Sequence, residues 1–345
     1  MPTSKSPQQQ SAELDVAWEE TPCPLCGADR PQLMLTGTDR LLGLPGTFRL
    51  VQCGDCGHAY LNPRPTPETI GAYYPPQYGP YHAPADGDAI APSTGTAKPV
   101  GPLRRWLRWF LDPQGEFIPP VTHAPRRALE IGCADGGFLE RLQDLGWEVQ
   151  GVEFSPDAAA TAQQRGLDVQ LGTLESAELP ATRFDAVFLW MVLEHLHDPR
   201  GTLTEIRRIL KPDGWLMFSV PNFGSWERRF FGRYWYALDL PRHLQHFTPH
   251  TLRRTLDAAG FDVIKIIHQR TANNITGSIG YWWRERFPDS RLAAALIQHC
   301  DEPRTGLVLV LALPAKFLAW IRQGGRLTVV ARPKRGDEIS GSSAT

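Results

Sequence analysis

Residues Arg127–Leu142 read RALEIGCADGGFLERL. An apolar run ends on an acid, crosses a loop of small residues and opens into an amphipathic helix. This strand–turn–helix pattern turns backbone N–H groups toward a nucleotide-like ligand. Gly132, Ala134, Gly136 and Gly137 keep the loop narrow, and Glu130 ends the strand, at the edge where open α/β sheets bind ligands. A second buried strand follows in Trp147–Phe154, WEVQGVEF, and ends on Glu153, 23 residues after Glu130. A carboxylate there can accept from both hydroxyls of a ribose.

The alternation continues. Phe184–Trp190 (FDAVFLW) reads as a strand and Thr202–Leu210 (TLTEIRRIL) as a helix. Gly214–Val220 (GWLMFSV) is again a strand, reached through the Lys211-Pro212-Asp213-Gly214 turn. Strands alternating with helices predict a parallel sheet covered on both faces.

These motifs resemble, in fixed order, those of class I S-adenosylmethionine-dependent methyltransferases, from about Arg126 to Arg270. EIGCADGGFL is similar to the family's first cofactor loop, with Ala134 where glycine is usual. FDAVFLWMVLEHLHDP and LTEIRRILKPDGWLMFSVPN are similar to its fourth and fifth strands and the helix between them. The resemblance implies a Rossmann-like seven-stranded α/β sheet, with the last strand (Gly325–Arg332, GRLTVVAR) antiparallel. It implies S-adenosylmethionine as cofactor, held by Glu130, Gly132, Cys133, Ala134, Gly136, Glu153, Phe154 and Trp190. In it Glu130 helps hold the cationic amino-acid part, and Glu153 the ribose. A dinucleotide is disfavoured: Ala134 interrupts G-x-G-x-x-G, and an acid ending the first strand would repel a pyrophosphate.

Cysteines define a second unit. Cys23-Pro-Leu-Cys26 and Cys53-Gly-Asp-Cys56 are two C-x-x-C pairs, each followed by a glycine, Gly27 and Gly57. Four soft thiolates suit a structural Zn²⁺ without an open coordination position. Two disulfides or unrelated thiols are the alternatives, disfavoured in a chain that shows no secretion signal. Residues 21–62 are read as a zinc ribbon, expected to loosen on metal loss while the core survives. His58 is read as a bystander to the sulfur set.

The remaining boundaries are a polar, disordered tail (1–20), a linker (63–125) with helical pieces and a flexible Pro/Gly-rich excursion (75–102), a methyltransferase domain (126–335) with a substrate insertion (221–250), and a disordered tail (336–345). The insertion carries seven aromatics from Phe223 to Tyr236, then His243 and His246. Histidine is the usual general base at neutral pH. His246 is preferred for its nearness to the helix start at Thr248-Pro249, His243 is second, and Tyr236 or Tyr234 stands behind both. Glu194-His195 is read as a loop-to-helix link as readily as a site.

Ribbon, core and PRHLQHFTPHTLRRTLDAAGF together resemble bacterial methyltransferases of polysaccharide and secondary-metabolite pathways. Some relatives, sugar C-methyltransferases with a zinc domain, use a tyrosine and a histidine near this region. Ubiquinone-pathway O-methyltransferases share the core and usually lack the ribbon. The expectation is methyl transfer to a small-molecule or glycan/nucleotide-sugar acceptor, on oxygen or carbon, with histidine-assisted deprotonation. The alternatives are a quinone- or lipid-type O-methyltransferase, or a ribbon scaffold with a degenerate core.

A net charge of −1 supplies no global field for nucleic acid, so no nucleic-acid partner is expected. No apolar run reaches the ~20 residues of a spanning helix, since Leu307–Ile321 is interrupted by Pro314 and Lys316. The expected location is cytoplasmic. Leu103–Leu111, LRRWLRWFL, has the make-up of a helix at an anionic interface, which would make the protein peripheral to the inner membrane face. A helix packed on the core, with its arginines in water, is the other reading.

Overall fold

The computed structural model describes residues 14–75, 116–300 and 305–335. The segment Leu103–Leu111, nearly all of the 75–102 excursion and most of the two tails therefore lie outside the described residues.

Seven strands form the main sheet: β6 (Arg127–Ile131), β7 (Glu148–Glu153), β8 (Val169–Leu171), β9 (Phe184–Trp190), β10 (Leu210–Pro221), β12 (Phe261–His268) and β13 (Arg326–Pro333). Their order is β12-β13-β10-β9-β6-β7-β8, and β13 runs antiparallel to both its neighbours while the other pairings are parallel. Central β9 is apolar but for Asp185, and all of β6 and β9 except Arg127 and Trp190 is buried, as parallel strands covered on both faces must be. The Lys211–Gly214 turn shows as a register break between Leu210 and Trp215 of β10.

Helices start where capping chemistry permits. α1 (Gly137–Asp144) and α2 (Pro156–Gln164) follow β6 and β7. Asp198 caps α3 (Pro199–Ile209) by accepting from Gly201 N at 2.9 Å, with proline at the first helical position. α4 (Trp226–Phe231) lies in the insertion, and Thr248 and Thr251 form a capping box at α5 (Pro249–Ala258). α6 (Asn273–Arg286), α7 (Arg291–Gln298) and α8 (Thr305–Trp320) precede β13. α8 continues through Pro314, the residue the sequence reading took as an interruption. No described helix is long and apolar enough to cross a membrane.

A smaller sheet has the order β11-β4-β3-β2, from β2 (Pro31–Gly37), β3 (Phe48–Cys53), β4 (Ala59–Leu61) and β11 (Gln245–His246). β1 (Trp18–Glu19) pairs separately with β5 (Arg64–Pro65). Residues 21–62 are thus not packed as a unit apart from the 221–250 insertion: Gln245 and His246 pair with Tyr60 and Ala59. One apolar cluster joins Phe48, Leu50 and Leu61 to Trp235, Leu238 and Leu244, and another joins Leu25, Val51 and Tyr60 to the main sheet's Leu129 and Phe218. Arg64 Nη1 and Gln245 Nε2 donate to the carbonyls of His197 and Leu196, fastening the small sheet to the segment after β9.

Candidate active site

The loop after β6 is built around close approach. Gly132 has φ +70°, and a Cβ there would meet Val192 Cγ2 at 2.5 Å, so any side chain would collide. Ala134 adopts φ +48°, left-handed backbone that disfavours L-residues and explains why glycine is usual at this point. The strain is held by a specific contact: Ala134 N donates to Glu153 Oε2 at 2.8 Å, while Ser155 N donates to Oε1 at 2.7 Å. Burial raises the Glu153 pKa, and these backbone donors oppose it.

This loop faces a cavity of about 1430 Å³. Small-molecule pockets usually run about 300–1,000 Å³, so there is room for a cofactor and a second molecule. Of the predicted cofactor residues, Gly132, Ala134, Glu153, Phe154 and Trp190 line it. Glu130, Cys133 and Gly136 do not, although the sequence reading placed them in the set. Glu130 is buried beneath the loop with Oε2 lacking a partner, and burial raises its pKa well above the carboxylate range. The Cys133 thiol is buried against Gly151, and Gly136 packs toward Leu167. The Gly172–Leu174 turn and Met191–Val192 also line the cavity and were not anticipated. β8 is three residues long, too short to show a periodicity that would point to the turn after it.

At the other end the walls come from distant segments: Leu41, Ile70 and Tyr74 of the N-terminal part, Tyr236 and His243 of the insertion, and Tyr281 of α6. His243 is buried, and its Nδ1 lies 2.9 Å from Ala237 O. A carbonyl only accepts, so Nδ1 carries the proton and Nε2 keeps its lone pair, 3.9 Å from Asp239 Oδ2. Burial lowers the His243 pKa, Asp239 opposes this, and Arg242 and Arg326 reinforce it. The ring meets His195 edge to face at 4.6 Å; burial takes His195 to about 3. His195 Nδ1 lies 3.1 Å from Arg242 O and 2.9 Å from the Tyr74 hydroxyl.

His246, the preferred base of the sequence reading, does not line the cavity. It belongs to β11, where strand alternation directs it against Phe223, and burial drives its pKa well below 6.5. Tyr236 lines the cavity and stacks on Tyr281 at 5.4 Å. Tyr234 instead points outward, its hydroxyl donating to Glu285 at 2.7 Å. Beneath His243, Arg242 is wholly buried between Asp39 and Asp239, each at 2.7 Å. Asp39 also accepts from the backbone N–H groups of Leu41 and Leu42 at 3.0 Å, so one buried charge network fixes two walls.

The four cysteines of the knuckles converge. Cys23 and Cys56 sulfurs lie 3.5 Å apart, Cys26 and Cys53 3.6 Å, and all four fall within 4.8 Å of one another. Disulfide sulfurs would sit about 2.05 Å apart. Tetrahedral Zn²⁺ at ~2.3 Å per bond puts sulfurs about 3.8 Å apart, which this set fits. Gly27 and Gly57 take the left-handed backbone, φ +75° and +73°, that closes each knuckle. His58 is turned away from the sulfurs' task, with Nε2 2.9 Å from Gln245 Oε1.

Residues 103–266 match the model of a family described as a methyltransferase domain. The ubiquinone biosynthesis O-methyltransferase of Burkholderia vietnamiensis is 32% identical over 136 residues, 33% of this chain and 58% of that protein. The malonyl-[acyl-carrier protein] O-methyltransferase of Serratia marcescens is 30% identical over 140 residues, 40% of this chain and 54% of the relative. The chain thus spans little more than half the length of these curated relatives. A solved SAM-dependent methyltransferase from Archaeoglobus fulgidus aligns at TM-score 0.41 and 22% identity, over 67% of this chain and 90% of that one. This chain thus carries a methyltransferase domain, on a sheet whose β13 runs against its neighbours in the architecture of the class I S-adenosylmethionine-dependent methyltransferases.

Proposed function

We propose that the chain transfers the methyl group of S-adenosylmethionine to a small-molecule acceptor, with His243 as the base. The observation that carries this reading is that Glu153 and His243 line the same cavity. The cofactor supplies an electrophilic methyl on a sulfonium. Glu153, held by the N–H groups of Ala134 and Ser155, keeps lone pairs for the two ribose hydroxyls. Gly132 lets the chain pass close to the ligand. At the far end His243 Nε2 accepts the acceptor's proton, while Ala237 O holds the ring in the required tautomer. The apolar walls exclude water from the nucleophile. The names of the relatives support an oxygen nucleophile; a sugar carbon is the second acceptor class, on the resemblance of the ribbon and insertion alone. The four cysteine sulfurs would hold one structural Zn²⁺.

Calorimetry with S-adenosylmethionine tests the cofactor assignment. Glu153→Ala removes a charged hydrogen-bond acceptor and should weaken binding by ~1–3 kcal/mol, the scale of charge-assisted hydrogen bonds. Equal affinity in a folded variant would remove Glu153 from the site.

A further inference from the structure

β13 opens on Arg326, paired with Pro221 at the carboxyl end of β10, and its side chain lines the acceptor end of the cavity. Among the described residues its guanidinium has no carboxylate within 4.0 Å, and its Nε is buried without a hydrogen-bond partner. Arg242, which is wholly buried, is by contrast clamped by two aspartates. A half-buried guanidinium that faces a cavity with a buried, unpartnered Nε is placed to receive an anion from outside the chain.

The surroundings support that. Glu194 is wholly buried nearby with both carboxylate oxygens lacking partners, and burial pushes its pKa up to about 8. Arg326 opposes that shift, yet neither Glu194 nor Glu227, the other buried carboxyl that acts on Arg326, lies within ion-pair distance of it. Arg326 also acts electrostatically on His243, placing cation and base at the same end of the cavity.

We propose that Arg326 forms an anion subsite for the acceptor, which carries a carboxylate or phosphate group there while presenting its nucleophilic atom to His243. This rests on the methyltransferase reading. The cofactor has a carboxylate too, yet its loop follows β6, three strands from β13. At ~4.8 Å per strand that is about 14 Å, too far for the group held at Gly132 and Ala134. An acceptor anion on Arg326 instead lies beside the base.

The test uses the full chain, titrated by calorimetry with malonate and with inorganic phosphate, each with and without saturating S-adenosylmethionine. One of the two anions should bind the unmodified protein. Arg326→Gln should weaken that binding at least 10-fold while changing cofactor affinity less than twofold, and Arg326→Lys should fall between. The Lys variant keeps the test readable if the Gln variant does not fold. A 10-fold loss of cofactor affinity in either variant would reassign Arg326 to the cofactor's carboxylate and overturn the proposal. So would absence of anion binding combined with non-additive destabilisation in Arg326→Gln plus Glu194→Gln, the signature of an internal pair. The cofactor titration tests the underlying reading and the anion titration tests Arg326, so either can fail without the other.

Discussion

His243 and His246 differ by three positions and one strand pairing, and that difference separates the base we propose from a packing residue. His243→Ala should lower turnover ~10²–10⁴-fold, the usual share of a general base, with cofactor affinity unchanged. His246→Phe, which keeps a ring against Phe223, should leave turnover within a few-fold. Equal losses in both would show that the defect is structural. A base here must be neutral, and burial lowers the His243 pKa against Asp239, with Arg242, Arg326, His195 and His246 as its other charged or titratable neighbours. The acid limb of kcat/KM should therefore lie below the ordinary histidine value of about 6.5, with activity lost as pH falls through it. It should vanish in His243→Ala. Ala134 is a second residue-scale case. Replacing it by glycine relieves a left-handed alanine and should raise stability by about 1 kcal/mol in denaturant unfolding. An unchanged midpoint would mean the Glu153 contact already absorbs the strain.

β11 is two residues long, yet it decides how the zinc-type site communicates with the rest. The sequence reading expects the ribbon to loosen alone. With Gln245 and His246 laddered onto β4, loss of the sulfur cluster should reach the insertion as well. Metal analysis should give about one Zn per chain, and Cys23→Ser with Cys53→Ser should abolish it. Hydrogen exchange at Gln245 and His246 should then accelerate, and turnover should fall. Unchanged protection there in the zinc-free variant would show that β11 is held by the main core instead.

Across the whole molecule, Asp39, Arg242 and Asp239 tie the N-terminal part to the insertion through a fully buried cation. Arg242→Met leaves two buried carboxylates uncompensated and should cost about 3–5 kcal/mol. Urea unfolding measures this, and a loss below 1 kcal/mol would mean that water reaches the pair. The cavity wall should suffer together with stability, because Asp39 also orders Leu41 and Leu42.

The alternation of β6, β7, β9 and β10 with their helices was legible in the chain because parallel central strands must be apolar on both faces, and caps such as Asp198-Pro199 act locally. The Gly132–Ala134 loop and Glu153 were legible for the same reason: their geometry is set within one strand–turn–helix unit, and the acid lies at a fixed offset. The cysteine knuckles carried their chemistry in their spacing. The acceptor end was not legible. Tyr74, His243, Tyr281 and Arg326 are separated by tens of residues, and each looks ordinary in its own segment. Sequence could place two histidines near the site but not choose between them. That choice depends on which face of β11 packs on Phe223 and on which carbonyl meets an imidazole. Long-range contacts of this kind are products of tertiary packing, and no local pattern encodes them.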